Sequence, residues 1–203
     1  MTGIIAAMRQ TQNHLDKAAL VTRIRQWGAE LGFQQVAIAD TDLSTAEPRL
    51  QRWLQAGYHG EMAYMEHHGA KRSRPDELEP GTLSVISVRM DYLPQTADDP
   101  WQVLESSDLG YISRYALGRD YHKLMRKRLQ QLAQRIAEQI GEFGYRAFVD
   151  SAPVLEKPLA QKAGLGWVGK HSNILNRTAG SWFFLGELYT DLPLPADQPV
   201  SAH

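Results

Sequence analysis

Between Tyr145 and Tyr189 the chain alternates apolar runs with a carboxylate at Asp150 and a burst of glycines. Tyr145 to Val149 reads as a strand, Asp150 follows it, and Lys157 to Ala163 has the pattern of a short helix closed by Gly164. Gly164, Gly166 and Gly169 then punctuate a loop before a second apolar run ending in Trp182-Phe183-Phe184. Glycines let backbone approach a ligand closely, and strand ends are where α/β proteins place reactive groups. An acid and a glycine loop meeting at one strand edge point to a cofactor site.

The 203 residues suit one domain, with a net charge of −1 that carries no overall nucleic-acid or membrane signature. The absence of cysteine excludes disulfides, a thiol nucleophile, Cys-ligated zinc and iron–sulfur clusters held by this chain's own thiolates. No apolar run approaches the roughly 20 residues of a membrane helix. The expectation is a cytoplasmic protein, with no membrane association. None of the histidines, His14, His59, His67, His68, His122, His171 and His203, has zinc-ligand spacing, so no metal held by side chains is expected.

Elsewhere the pattern is mixed. Residues 12–31 carry Leu15, Leu20, Ile24, Trp27 and Leu31 at helical spacing, and Gly32 stops them. Val36–Ala39 reads as a buried strand, Ala46–Met65 as a helix broken late by glycines, and Leu83–Tyr92 as a strand. Gln95–Ser107 reads as a surface loop pinned by Trp101, and Tyr111–Tyr115 alternates as a strand would. Asp120 begins the clearest helix, to about Glu142, with Tyr121, Leu124, Met125, Leu129, Leu132, Ile136 and Ile140 in its stripe. Further strands are expected at Asn173–Leu175 and Ser181–Leu188, and Pro193–His203 resembles the start of a linker. These elements predict an α/β (α+β) fold whose antiparallel or mixed sheet is covered by helices.

Asp150 has two readings: a turn or helix cap, or a proton donor at a pocket mouth, with partial desolvation holding its proton. Glu156 is either its partner or solvated. Gly164 to Asn173 is no Walker A loop and lacks the context of a dinucleotide fingerprint. It is either a tight turn or a loop that grips a large polar cofactor through backbone, lysine, hydroxyl and amide groups. Lys71-Arg72-Ser73-Arg74-Pro75 is a basic cluster, and Arg126, Lys127 and Arg128 lie on a basic helix face; each is either solvated or a phosphate contact. Tyr111, Tyr115, Tyr121, Trp167, Trp182 and Phe183 are core residues or the lining of a flat-ligand pocket.

The strings KRSRPDELEPG (71–81), ISRYALGRDYHKLMRKRL (112–129), FVDSAPVLEKPLAQKAGLGWVGKHSNIL (148–175) and GSWFFLGEL (180–188) together resemble the epoxyqueuosine reductases. The resemblance implies an oxidoreductase that reduces epoxyqueuosine to queuosine at the tRNA wobble position, the last step of queuosine biosynthesis. It implies a nitroreductase-like cobalamin-binding domain over residues 17–192, after an N-terminal extension over 1–16. Residues 193–203 would then lead to a ferredoxin-like domain that this sequence does not include. The family uses cobalamin and two 4Fe–4S clusters, an external electron donor and tRNA, and a monomer is expected. Asp150 matches the catalytic acid. Arg72, Ser113, Gly169, Lys170, His171, Ser172 and Asn173 match the corrin cradle. A flavin-dependent nitroreductase-like enzyme and an RNA-binding module remain as alternatives.

Overall fold

In a computed structural model, the structure describes residues 16–93 and 98–202. Helix α1 (Lys17–Glu30) starts where the Asp16 carboxylate accepts from the Ala18 and Ala19 amides at 3.1 and 3.0 Å, and it buries Leu20, Val21 and Ile24. After the turn at Gly32, strand β1 (Gln35–Ala39) leads to helix α2 (Glu47–Gln55). That helix stops well short of Met65, because Gly57 and Gly60 take φ values of +67° and +56° that helical backbone does not allow. Short 3₁₀ turns at Ala63–Met65 and Gly69–Arg72 and helix α3 (Pro75–Leu78) precede strand β2 (Ser84–Asp91).

The expected 95–107 loop holds helix α4 (Pro100–Glu105), capped by Asp99; residues 94–97 lie outside the described part. Trp101 is 71% exposed and pins nothing. Tyr111–Tyr115 is not a strand but extended chain leading into a 3₁₀ turn at Arg114–Ala116. Tyr111, Ile112 and Tyr115 are all exposed, and alternation becomes a strand only where a sheet edge is there to pair. Helix α5 (Tyr121–Ile140) is capped by Asp120 and followed by strand β3 (Tyr145–Phe148), helix α6 (Glu156–Lys162), the hairpin of β4 (Trp167–Val168) and β5 (Ile174–Leu175), and strand β6 (Phe183–Thr190).

The main sheet has the order β1-β2-β6-β3, and every pairing is antiparallel, so the expectation of a mixed sheet is resolved in favour of the antiparallel one. Alternation along the strands sorts two cores. Ile86, Val88, Met90 and Leu188 face Leu20 and Ile24 of α1 and Met125, Leu129, Leu132 and Ile136 of α5. Val85, Phe148 and Tyr189 face Leu159 and Ala160 of α6, with Leu165 and Ile174 from the hairpin. Each fully buried aliphatic side chain contributes about 1.5–3 kcal/mol. Gly186 lets α5 lie close on the sheet, since a β-carbon there would stand 2.9 Å from the Met125 methyl carbon.

Past the last strand, Leu192 and Leu194 are buried. The Asp197 amide donates to the Ile38 carbonyl at 2.9 Å, and its carboxylate accepts from the Ile38 amide at 2.8 Å. Arg25 of α1 pairs with the same carboxylate at 2.5 Å. The packed body therefore runs through Asp197. Among the described residues, no helix is long and apolar enough to cross a membrane.

Candidate active site

Strand β3 ends where Phe148 pairs with Glu187 of β6, and the chain turns two residues later on Asp150. The Ser151 amide donates to the Val149 carbonyl at 2.7 Å, closing a three-residue turn with Asp150 at its apex and φ at +58°. This is the strained form of the γ-turn, and left-handed non-glycine backbone clusters at functional sites. Asp is among the residues that tolerate it.

The turn aims the Asp150 side chain at the N-terminus of α5. There the Tyr121 hydroxyl donates to the carboxylate and the His122 Nε2 lies 3.2 Å from it. His122 Nδ1 is 2.9 Å from Asp120, whose same oxygen accepts from the His122 amide at 3.0 Å and so caps the helix. The Tyr121 ring is clamped by Phe184, stacked at 3.7 Å, and by His122 at 4.0 Å. Burial, then the hydrogen bond to Asp150, raises the Tyr121 phenol above its ordinary range, so it stays a donor.

The Asp150 side chain is 43% exposed, so the desolvation expected of it falls on two other acids. Glu156, at the start of α6, is pushed up to about 7 by burial and then by the Asp150 charge, with Lys157 opposing. Glu187, fully buried on β6, is raised well above the carboxylate range by burial, then by Glu156 and Asp150. Among the described residues its Oε1 has no hydrogen-bond partner, and neither has the Ser87 hydroxyl opposite it in register nor the Tyr189 hydroxyl.

Two cavities flank Asp150 and Glu156. One, of about 200 Å³, is lined by Tyr92, Tyr115, Tyr121, Lys157, Asn173 and Phe183. The other, of about 600 Å³, is lined by Tyr64, Met65, His68, Arg72 and His122. Arg72 is buried; its Nη2 donates to the Tyr64 carbonyl at 3.1 Å and its Nε has no partner among the described residues. Two more members of that cluster are engaged elsewhere: Arg74 pairs with Glu47 at 2.9 Å and Glu77 at 2.8 Å, and Ser73 donates to Glu47 at 2.8 Å.

The residues Gly169 to Asn173 form the tight turn between β4 and β5, with the Gly169 amide donating to the Asn173 carbonyl and the Ser172 amide to Gly169, both at 2.9 Å. Asn173 alone among them reaches the smaller cavity, where Lys157 donates to it at 3.3 Å. Lys170, His171 and Ser172 are exposed beside it, and Ser113 is exposed outside both cavities, two residues before the lining Tyr115. Arg126 and Lys127 are exposed on α5. Arg128 is not a free phosphate contact: its Nη1 donates to the Gly32 carbonyl at 3.3 Å and lies 3.1 Å from the Met90 sulfur, tying α5 to the turn before β1.

Sequence reasoning did not find Tyr64 and His68, which lie in glycine-broken chain without periodicity, or Glu187. The signal for Glu187 was a carboxylate within an otherwise apolar strand.

Fold and site together define an α/β sandwich with an acid held between two cavities at one end of an antiparallel sheet. Residues 72–151 match the family described as epoxyqueuosine reductase QueG, DUF1730. The chain is 65% identical over 187 residues to the epoxyqueuosine reductase of Pseudomonas aeruginosa, covering 92% of this chain and 52% of that protein. It is 63% identical over 186 residues to that of Escherichia coli, covering 92% and 49%. The chain is therefore a homologue of part of the epoxyqueuosine reductases, spanning about half the length of the curated relatives it matches.

Among solved structures, the epoxyqueuosine reductase of Streptococcus thermophilus superposes with a TM-score of 0.76 at 25% identity, over 89% of this chain and 48% of that one. An epoxyqueuosine reductase bound to an epoxyqueuosine-modified tRNA-Tyr stem loop gives 0.78 at 21%, over 92% and 49%. A reductive dehalogenase, whose structure suggests a mechanism for B12-dependent dehalogenation, gives 0.52 at 17%, over 89% and 20%. The last two likenesses bear on fold alone.

Proposed function

We propose that this chain is the cobalamin-binding, proton-donating part of an epoxyqueuosine reductase, acting on epoxyqueuosine in tRNA and reducing its epoxide to the alkene of queuosine. The observation that carries this reading is Asp150, held out by a strained turn between two cavities with Tyr121 and His122 on its carboxylate. The identity to named reductases supports this chemistry, and the finer fold reading is a nitroreductase-like domain over residues 17–192.

The residues present fit a corrinoid. The smaller cavity is too small to enclose a macrocycle, but it is lined by Tyr92, Tyr115 and Tyr121, and the exposed Trp182 packs edge-on against Tyr92 at 6.1 Å. Such a lining suits a flat apolar ring, while Lys157, Asn173 and the 169–173 turn offer hydrogen bonds to amide-bearing edges. Arg72, Ser113, Gly169, Lys170, His171, Ser172 and Asn173 are the proposed holding residues. When bound, reduced cobalamin supplies the electrons. The 4Fe–4S clusters that would recharge it must be held outside these residues, since the chain has no cysteine; an external donor would feed them.

Asp150 gives its proton to the epoxide oxygen as the C–O bond breaks, because an alkoxide leaves poorly without one. Tyr121 and His122 hold the carboxyl in place. The wobble base would leave its stack to reach the acid, with Arg126 and Lys127 as phosphate contacts. A cytoplasmic monomer completes the reading.

The test pairs binding with turnover. Adding cobalamin to this chain should change its visible spectrum, with wild type and Asp150→Asn alike, whereas FMN should not. In the complete Pseudomonas aeruginosa relative, Asn at the position aligned with Asp150 should slow epoxide reduction by about 10²–10⁴-fold. Wild-type turnover by the Asn variant, or binding of FMN in preference to cobalamin, would overturn the reading.

A further inference from the structure

Turning an epoxide into an alkene and water consumes two electrons and two protons, and Asp150 supplies one proton. We propose that Glu156 is the second acid, protonating the departing hydroxyl so that it leaves as water; this rests on the function proposed above.

Placement carries the argument. Glu156 lines both cavities that Asp150 lines, so whatever occupies either one meets both acids. It is largely buried, and among the described residues no hydrogen bond or ion pair engages its carboxyl. Behind it, Glu187 is fully buried with an unpartnered oxygen. The carboxyls thus run inward from exposed Asp150, and burial raises both Glu156 and Glu187 above the usual carboxylate range. The charged groups acting on Glu156 are Asp150 from the turn after β3 and Lys157 from α6, and Glu156 in turn acts on Glu187 from β6 and Tyr121 from α5. Of these, only the Lys157 ammonium favours the ionised form. The resulting value of about 7 leaves a large share of Glu156 protonated at neutral pH.

The steps balance. Ring opening breaks one C–O bond, and the Asp150 carboxyl protonates the freed oxygen. Loss of the hydroxyl breaks the second C–O bond, Glu156 protonates it, and the electron pair left on carbon becomes the second bond of the alkene. A bound reduced corrinoid would supply both electrons, and solvent reprotonates both carboxylates.

Infrared titration of this chain tests the protonation directly: a protonated-carboxyl band should disappear with a midpoint near 7, be absent in Glu156→Gln and persist in Asp150→Asn. In the complete Pseudomonas aeruginosa relative, Gln at the aligned position should slow turnover by about 10²–10⁴-fold and abolish the fall in rate above neutral pH. Glu156→Asp should restore part of the rate together with that fall. A Gln variant keeping the wild-type rate and pH profile, beside a crippled Asp150→Asn, would sink the second acid alone, as would an infrared band unchanged by Glu156→Gln. Failure of the unsubstituted relative to reduce epoxyqueuosine would sink the parent reading and this one together.

Discussion

The Tyr121 hydroxyl donates to the Asp150 carboxylate, joining the first turn of α5 to the apex of the turn after β3. Tyr121→Phe would keep the stack on Phe184 and remove only the donor. A hydrogen bond to a charged group is worth about 1.5–3 kcal/mol, so turnover should fall about tenfold to a hundredfold with little change in melting temperature. Steady-state kinetics of the complete enzyme and a thermal melt of this chain check both halves. A large loss of stability at unchanged rate would assign Tyr121 to structure instead.

Asp150 sits at φ +58°, where a β-carbon crowds the following carbonyl. Asp150→Gly should therefore be more stable than Asp150→Ala by about 1 kcal/mol, although both remove the acid. Urea denaturation of the two variants gives the difference, and a more stable alanine variant would show that the turn stores no strain.

The buried acids set the pH dependence of folding. With Glu156 raised from 4.5 to about 7, both states hold the proton at low pH, and between those values the unfolded chain releases it first. Stability must then fall as pH rises through that window, by about 3 kcal/mol at about 1.4 kcal/mol per tenfold change in proton affinity. Glu187, likewise raised by burial, adds to the decline. Glu156→Gln and Glu187→Gln should each flatten the curve. Denaturation midpoints measured from about pH 5 to about pH 8 decide it, and stability that rises across that range would contradict the assignment.

Two glycines separate a hard clash from a soft one. A β-carbon on Gly166 would stand 2.2 Å from the Leu175 carbonyl oxygen, which is backbone, whereas one on Gly186 meets the flexible end of Met125 at 2.9 Å. Gly166→Ala should cost about 3 kcal/mol and Gly186→Ala about 1 kcal/mol. Chemical denaturation should rank them in that order, and equal losses would mean that the hairpin yields as easily as the core.

Helices α1 and α5 were legible because each has one periodic apolar face, and strands β1, β2 and β6 because each is a short apolar run buried between two cores. Asp150 was legible as a reactive position because it closes an apolar strand. The distribution of charge behind it was not. Burial of Glu156 and Glu187 depends on α6 folding back over the sheet, which no local pattern encodes. Arg128 read as part of a basic helix face, yet its long side chain reaches past α5 to the Gly32 carbonyl. Tyr111–Tyr115 carries strand alternation without a strand to join. In each case the local signal was sound and a distant partner decided its use.

Asp197 occupies both outward-facing polar groups of Ile38 on the outermost strand β1. It works as a stopper on the rim of the sheet, denying that stretch to an incoming strand from another molecule. Cutting the chain ahead of Asp197 would bare this rim, and self-association into ribbons, rather than simple unfolding, is the failure to watch for.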